Sequence, residues 1–141
     1  MGELILRAAE PADLPAVLAF WQVAAENDSR PVDTVEAAEA LVARDPEALI
    51  LAVDDGAVVG TVIAGWDGWR CHLYRLAVAP DRRRAGIGGL LIAAAEDRLR
   101  ALGGTRADAM VLDANERAHG IWAARGYRPQ PEWSRWVKPL G

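Results

Sequence analysis

The stretch from Leu73 to Arg98, LYRLAVAPDRRRAGIGGLLIAAAEDR, constrains this chain more than the rest of it. It joins an apolar strand, a Pro80-Asp81 turn, the consecutive arginines Arg82 to Arg84, a glycine-rich elbow and a long amphipathic helix. A strand that turns through glycines into a helix aims several backbone N–H groups at one point, where the helix dipole favours negative charge. Arg83, Arg84, Ala85, Gly86, Ile87, Gly88 and Gly89 therefore read as a phosphate or pyrophosphate site, with an ordinary tight turn as the alternative. A side chain at Gly86 or Gly88 is expected to obstruct the backbone's approach to such an anion. Two familiar phosphate loops fail on spacing. No Lys follows the glycines as a Walker A loop requires, and Gly88-Gly89-Leu90-Leu91 breaks a GxGxxG pattern.

The 141 residues have room for one domain with a sizeable core, and residues 1–141 are read as that single domain. An apolar fraction of 52% argues against disorder. A formal charge of −4 and a pI near 5.2 argue against general nucleic-acid binding, so the arginine triplet is a local anion site. The single cysteine, Cys71, leaves no internal disulfide to form and suits a reducing compartment. No apolar run approaches the ~18–20 residues that cross a bilayer. The opening MGELIL lacks the features of a signal peptide, and Leu6 stands where myristoylation needs Ser or Thr. A cytoplasmic location without membrane or nucleic-acid partners is the expectation.

Leu4 to Arg7 reads as a first strand, and Glu10-Pro11 starts a helix with Leu14, Val17, Leu18 and Trp21 facing the core. Asp33 and Glu36 suggest a capping box for a second helix that ends before Pro46. Leu49–Val53 and Val58–Ala64 are strands joined at Asp54-Asp55-Gly56, and the turn at Trp66 to Trp69 leads into a strand ending at Val78. The next helix carries Ile87, Leu91, Ala95, Leu99 and Leu102 on one stripe and stops at Gly103-Gly104. Arg106 to Leu112 reads as a strand and Glu116 to Arg125 as a helix. Tyr127-Arg128 and Trp133 to Val137 supply two final short strands. These elements alone say only that the chain is an α/β domain with a mixed sheet.

Arg83-x-x-Gly86-x-Gly88 resembles the (Q/R)-x-x-G-x-(G/A) signature of the GNAT superfamily of N-acetyltransferases. Leu76-Ala77-Val78 is similar to that family's cofactor-binding strand. Asn115-x-x-Ala118-x-x-Ile121-Trp122-x-x-x-Gly126-Tyr127 resembles its distal segment. The resemblance covers the whole chain and implies the order βααβββαβαββ, a mostly antiparallel sheet with splayed parallel central strands. It also implies acetyl-CoA as donor and an amine of a small molecule or peptide as acceptor, attacking the thioester directly. A non-catalytic acyl-CoA-binding module or sensor is the rival, and a homodimer is left open. Asn115 would cap its helix or hydrogen-bond near the pantetheine. The family's tyrosine acid is replaced by Trp122, whose indole N–H is not a usable acid, so Trp122 is expected to pack against the pantetheine or the core. A thiol of ordinary pKa ~8.5 leaves tolerably as an anion without help.

On this resemblance the N–H of Leu76 is the candidate donor to the thioester oxygen, with Val78 holding the pantetheine along a strand whose neighbour splays away. An attacking amine also needs a base. Strand alternation puts His72, Tyr74, Leu76 and Val78 on one face. Histone-type members carry their glutamate base where this chain has His72, and an imidazole is well matched to the task. Tyr74 joins the catalytic candidates through the shared face. A structural His72, with water or Glu26 or Asp28 as the base, is the alternative. Cys71 and His72 point to opposite faces and form no dyad. No His/Cys/carboxylate cluster has metal-ligand spacing, so no metal is expected. Glu26, Asp28 and Asp33 could attract a cationic amine, with Trp21, Trp66 and Trp69 as an apolar wall; core tryptophans, and acids that are caps or solvated loop residues, are the plainer reading.

Overall fold

The structure is a computed structural model, and it describes residues 3–25 and 32–141. The sheet runs in the order β1 (Leu4–Ala8), β2 (Leu49–Asp54), β3 (Ala57–Trp66), β4 (Cys71–Val78), β5 (Ala107–Ala109). Its first four strands are antiparallel and β4 pairs β5 in parallel. Helices α1 (Leu14–Ala24) and α2 (Val35–Arg44) cover one face. Helices α3 (Ile87–Ala101) and α4 (Glu116–Ala124) pack on the other. The expected α/β class with a mixed sheet is present, in the order βααβββαβα.

Leu14, Val17 and Trp21 turn inward from α1 as their spacing predicts, together with Phe20. Pro11–Asp13 forms a short 3-10 turn ahead of α1, closed by the Asp13 carboxylate accepting from the Glu10 N–H at 2.7 Å. The α3 stripe of Ile87, Leu91, Ala95 and Leu99 is buried, but Leu102 lies past the helix end and is exposed. Helix α3 lies directly on β3 because position 60 is glycine. A Cβ there would stand 2.8 Å from Leu91 Cδ1 and 3.0 Å from Ile87 Cγ2. That close approach brings the start of α3 down beside β4.

Three expectations need correction. Helix α2 is capped by Thr34, whose Oγ1 accepts from the Ala37 N–H, and Asp33 instead pairs with Arg75. The strand expected over Arg106 to Leu112 is short: pairing with β4 ends at Leu73↔Ala109, followed by one bond from the Met110 N–H to the Leu73 carbonyl. The two final strands do not form. Residues 127–141 carry no strand, and Trp133, Trp136 and Val137 are exposed. Prolines 129 and 131 and a turn from Gln130 to Trp133 interrupt this segment, which limits ladder pairing. The parallel pair is therefore at the sheet edge rather than at its centre.

Candidate functional site

Beyond Leu73, β4 runs on to Val78 while β5 stops, so among the described residues no strand lies beside the β4 edge from Tyr74 to Val78. The register fixes which groups face that opening. The Ala79 N–H reaches the Val59 carbonyl at 2.9 Å and Ala77 pairs with Thr61, so 77 and 79 turn toward β3. By alternation the N–H groups of Leu76 and Val78 turn to the open side. This phase depends on a bulge. Between Thr61 and Ile63 on β3 the opposite residues are Ala77 and Tyr74, so β4 carries one extra residue, with Arg75 at φ +56.

The bulge overturns the expectation that His72, Tyr74, Leu76 and Val78 share a face. Cys71, Leu73, Leu76 and Val78 pack with the α3 cluster, whereas Tyr74 packs with the α1–α2 cluster. His72 alternates with Cys71 and Leu73 and lies on Tyr74's face, where both are close to Gly65. The plain period of two holds up to Tyr74 and changes phase at Arg75. Cys71 is buried on the face opposite His72, and burial pushes its thiol above the usual range.

The elbow lies at the C-terminal end of this open edge. Arg84 at φ +71 and Gly86 at φ +81 are both left-handed and fold the chain sharply into α3. The first helical bond runs from the Leu90 N–H to the Gly86 carbonyl at 3.1 Å, so the N–H groups of Ile87, Gly88 and Gly89 have no intrahelical acceptor. Arg82 is tied to Asp54, but among the described residues neither Arg83 nor Arg84 has a carboxylate partner. Burial holds the Arg83 guanidinium below its usual range, and Arg117 at the start of α4 adds like-charge repulsion. Orphan amides, a helix N-terminus and two like charges fit the pyrophosphate of a CoA, and the free ladder groups of Leu76 and Val78 fit a pantetheine amide chain. Arg117 was not legible as part of this cluster, because its approach to Arg83 depends on where α4 docks.

A Cβ on Gly86 would meet no atom within 4 Å, so it is the left-handed φ rather than crowding by protein atoms that calls for glycine there. A Cβ on Gly88 would point inward, 3.4 Å from Ile121 Cγ2 and 3.7 Å from Val78 Cγ2. The expectation of direct obstruction at Gly88 is thus corrected, since its missing side chain serves packing. Asn115 caps α4, its Oδ1 accepting from the Ala118 N–H at 3.2 Å. Trp122 is 5% exposed within the core and stacks edge-on with Tyr127 at 4.9 Å between centroids.

The proposed acceptor wall is not assembled. Trp21 is buried and donates from Nε1 to Thr61 Oγ1 at 2.9 Å. Trp66 packs toward the α3 cluster, and Trp69 is 80% exposed with Arg70 stacked over it. Glu26 and Asp28 lie outside the described residues. In the same turn, the N–H groups of Arg70 and Trp69 hold the Asp67 carboxyl below its usual range, with His72 near enough to add to the effect. A separate groove of about 560 Å³ lies beside β5, lined by residues including Arg106, Asp108, Tyr127 and Gln130, and its lining includes none of the elbow residues 83–89.

The sequence model of the Acetyltransferase (GNAT) family matches residues 14–127. An acetyltransferase of Pectobacterium atrosepticum is 33% identical over 116 residues, covering 82% of this chain and 81% of the relative. An acetyltransferase of Yersinia enterocolitica is 37% identical over 86 residues, and the match spans 61% of each protein's length. Among solved structures, an aminoglycoside N-acetyltransferase in complex with CoA superposes with a TM-score of 0.78 at 19% identity, over all of this chain and 97% of the other. That likeness establishes the fold.

Proposed function

The chain belongs to the GNAT family of acetyltransferases, and we propose that residues 1–141 act as one acetyl-CoA-dependent N-acetyltransferase domain on a primary amine of a small molecule or peptide. The observation that carries this reading is the pairing of an open β4 edge with an arginine-flanked helix N-terminus in one line. Arg83, Arg84 and the amides of Ile87, Gly88 and Gly89 hold the pyrophosphate, and the Val78 backbone holds the pantetheine. The bound cofactor supplies an activated thioester carbonyl. Leu76 donates its N–H to the carbonyl oxygen, where negative charge grows during attack; one such donor contributes roughly 3–4 kcal/mol of barrier lowering.

The elbow and α3 lie over one face of the edge, so the amine approaches from the α1–α2 face, on which His72 and Tyr74 lie. His72 stands four residues from Leu76 with the bulge between them, about 10 Å by the register against β3 at ~3.3 Å per residue. At that separation it takes the ammonium proton through water rather than by direct contact. Burial raises the Tyr74 phenol, which therefore stays protonated near neutral pH and orients water instead of acting as a base. Trp122 takes no part in proton transfer, and the thiolate leaves as an anion.

Thiol release from acetyl-CoA across a panel of primary amines, including amino acids, polyamines and short peptides, tests this reading. Amine-dependent release, with the acetylated amine recovered by mass spectrometry, is the expected result. CoA binding without release by any amine would instead favour the non-catalytic binding module.

A further inference from the structure

The left-handed bulge at Arg75 is held by contacts that no sequence motif announces. Arg75 is 6% exposed and has φ +56, a conformation that an L side chain with a Cβ adopts only at a cost. Its carbonyl accepts from Thr61 Oγ1 at 2.9 Å, and the same hydroxyl accepts from Trp21 Nε1 at 2.9 Å. Its guanidinium pairs with Asp33 and lies 4.9 Å over the Trp21 ring. Thr61 has no exposed surface, so its hydroxyl is committed to this bridge. The network therefore ties α1, the residue preceding the α2 cap and β3 to the one residue that sets the phase of the open edge.

We propose that Arg75 and Thr61 are positioning residues: the Trp21–Thr61–Arg75–Asp33 network holds the left-handed bulge and so aims the Leu76 N–H at the reacting carbonyl. The proposal rests on the acetyltransferase reading above for its kinetic consequence only. The pyrophosphate amides of the elbow lie beyond the bulge, whereas the Leu76 N–H adjoins it, so losing the bulge lowers kcat more than it weakens CoA binding.

Arg75→Gly and Arg75→Ala discard the same side-chain contacts, but only glycine takes a left-handed φ freely. Arg75→Gly should turn over about tenfold faster than Arg75→Ala, the difference expected from the left-handed preference alone. Thr61→Val should lose about tenfold in kcat, whereas Thr61→Ser keeps the bridge and the rate; CoA affinity by calorimetry should stay at the wild-type value in Thr61→Ser and fall by less than kcat does in Thr61→Val. Backbone carbon chemical shifts of residue 75 give a readout independent of turnover: left-handed in the wild type, Arg75→Gly and Thr61→Ser, and extended in Thr61→Val. Equal kcat for the Gly and Ala variants, or a left-handed residue 75 in Thr61→Val, would overturn the proposal. Absence of thiol release by the wild type with every amine would refute the acetyltransferase reading instead, and the chemical shifts would still decide whether the network holds the bulge.

Discussion

Replacing Gly86 by alanine isolates the conformation of the elbow from its packing. Gly86 sits at φ +81 as the N-cap of α3, and an added Cβ would touch nothing within 4 Å. The cost is therefore conformational, about 1–2 kcal/mol for a left-handed L residue, offset by roughly 0.4–1 kcal/mol from the stiffer unfolded chain. A net loss near 1 kcal/mol lowers Tm by about 3 °C for a domain of this size. If the elbow relaxes to avoid the strain, the binding-competent fraction falls and Kd for CoA rises by up to about tenfold. Gly88→Ala should behave oppositely. Gly88 lies within α3, and its Cβ would make ordinary contacts with Ile121 and Val78. Alanine there gains up to about 1 kcal/mol of helix propensity, so stability should hold or rise while CoA affinity stays level. Thermal melts followed by circular dichroism and calorimetric titration with CoA measure both quantities. Wild-type melting and affinity in Gly86→Ala, or weaker CoA binding in Gly88→Ala than in Gly86→Ala, would refute this account of the elbow.

Trp122→Phe should lower stability by about 1–2 kcal/mol through a core cavity yet keep most of kcat, and Trp122→Tyr should not raise kcat greatly; a loss beyond about 10²-fold in the Phe variant would mark a general acid after all. His72→Gln should cost about 10²-fold in kcat/KM and remove the acidic limb of its pH profile with one acceptor held fixed. A variant that retains both the rate and the limb would make His72 structural. The Arg7 guanidinium, against the opposing effect of burial, holds the Asp13 carboxyl at about 2, helped by the Glu10 N–H. A carboxyl lowered in the folded state stabilises above its ordinary value, and that stabilisation disappears as pH falls through about 2. Because Arg7 is 40% exposed, screening reduces the effect to about 0.5–1 kcal/mol. Denaturant titrations should find Arg7→Ala less stable than the wild type at pH 7, with the gap closing toward that acid limit; a gap independent of pH would contradict the pairing.

What the sequence made legible is local. The turn from β4 through the elbow into α3 rests on neighbouring residues: the Leu76 to Val78 strand, the glycines and the Ile87–Leu99 stripe. The Asn115 cap is equally local, since its partner is three residues away. The bulge is different. Nothing near Arg75 in the chain calls for a left-handed residue, and its partners Thr61, Trp21 and Asp33 are distant in sequence. Counting by twos across it therefore put His72 on the wrong face relative to Leu76. The same kind of long-range pairing took Asp33 away from the helix cap and left that role to Thr34. The C-terminal strands failed for another reason: short β-rich runs separated by prolines depend on a neighbouring edge, and β5 offers only Ala107–Ala109.

The central claim is that the donor binds along the elbow and the open β4 edge, and an amide-resolved NMR titration with CoA tests it most directly. The account predicts that the largest shifts fall on the N–H groups of Leu76, Val78, Ile87, Gly88 and Gly89, with the Arg83 and Arg117 side chains responding alongside. Shifts confined to the groove beside β5, at Arg106, Asp108, Tyr127 and Gln130, with the elbow amides unmoved, would contradict it.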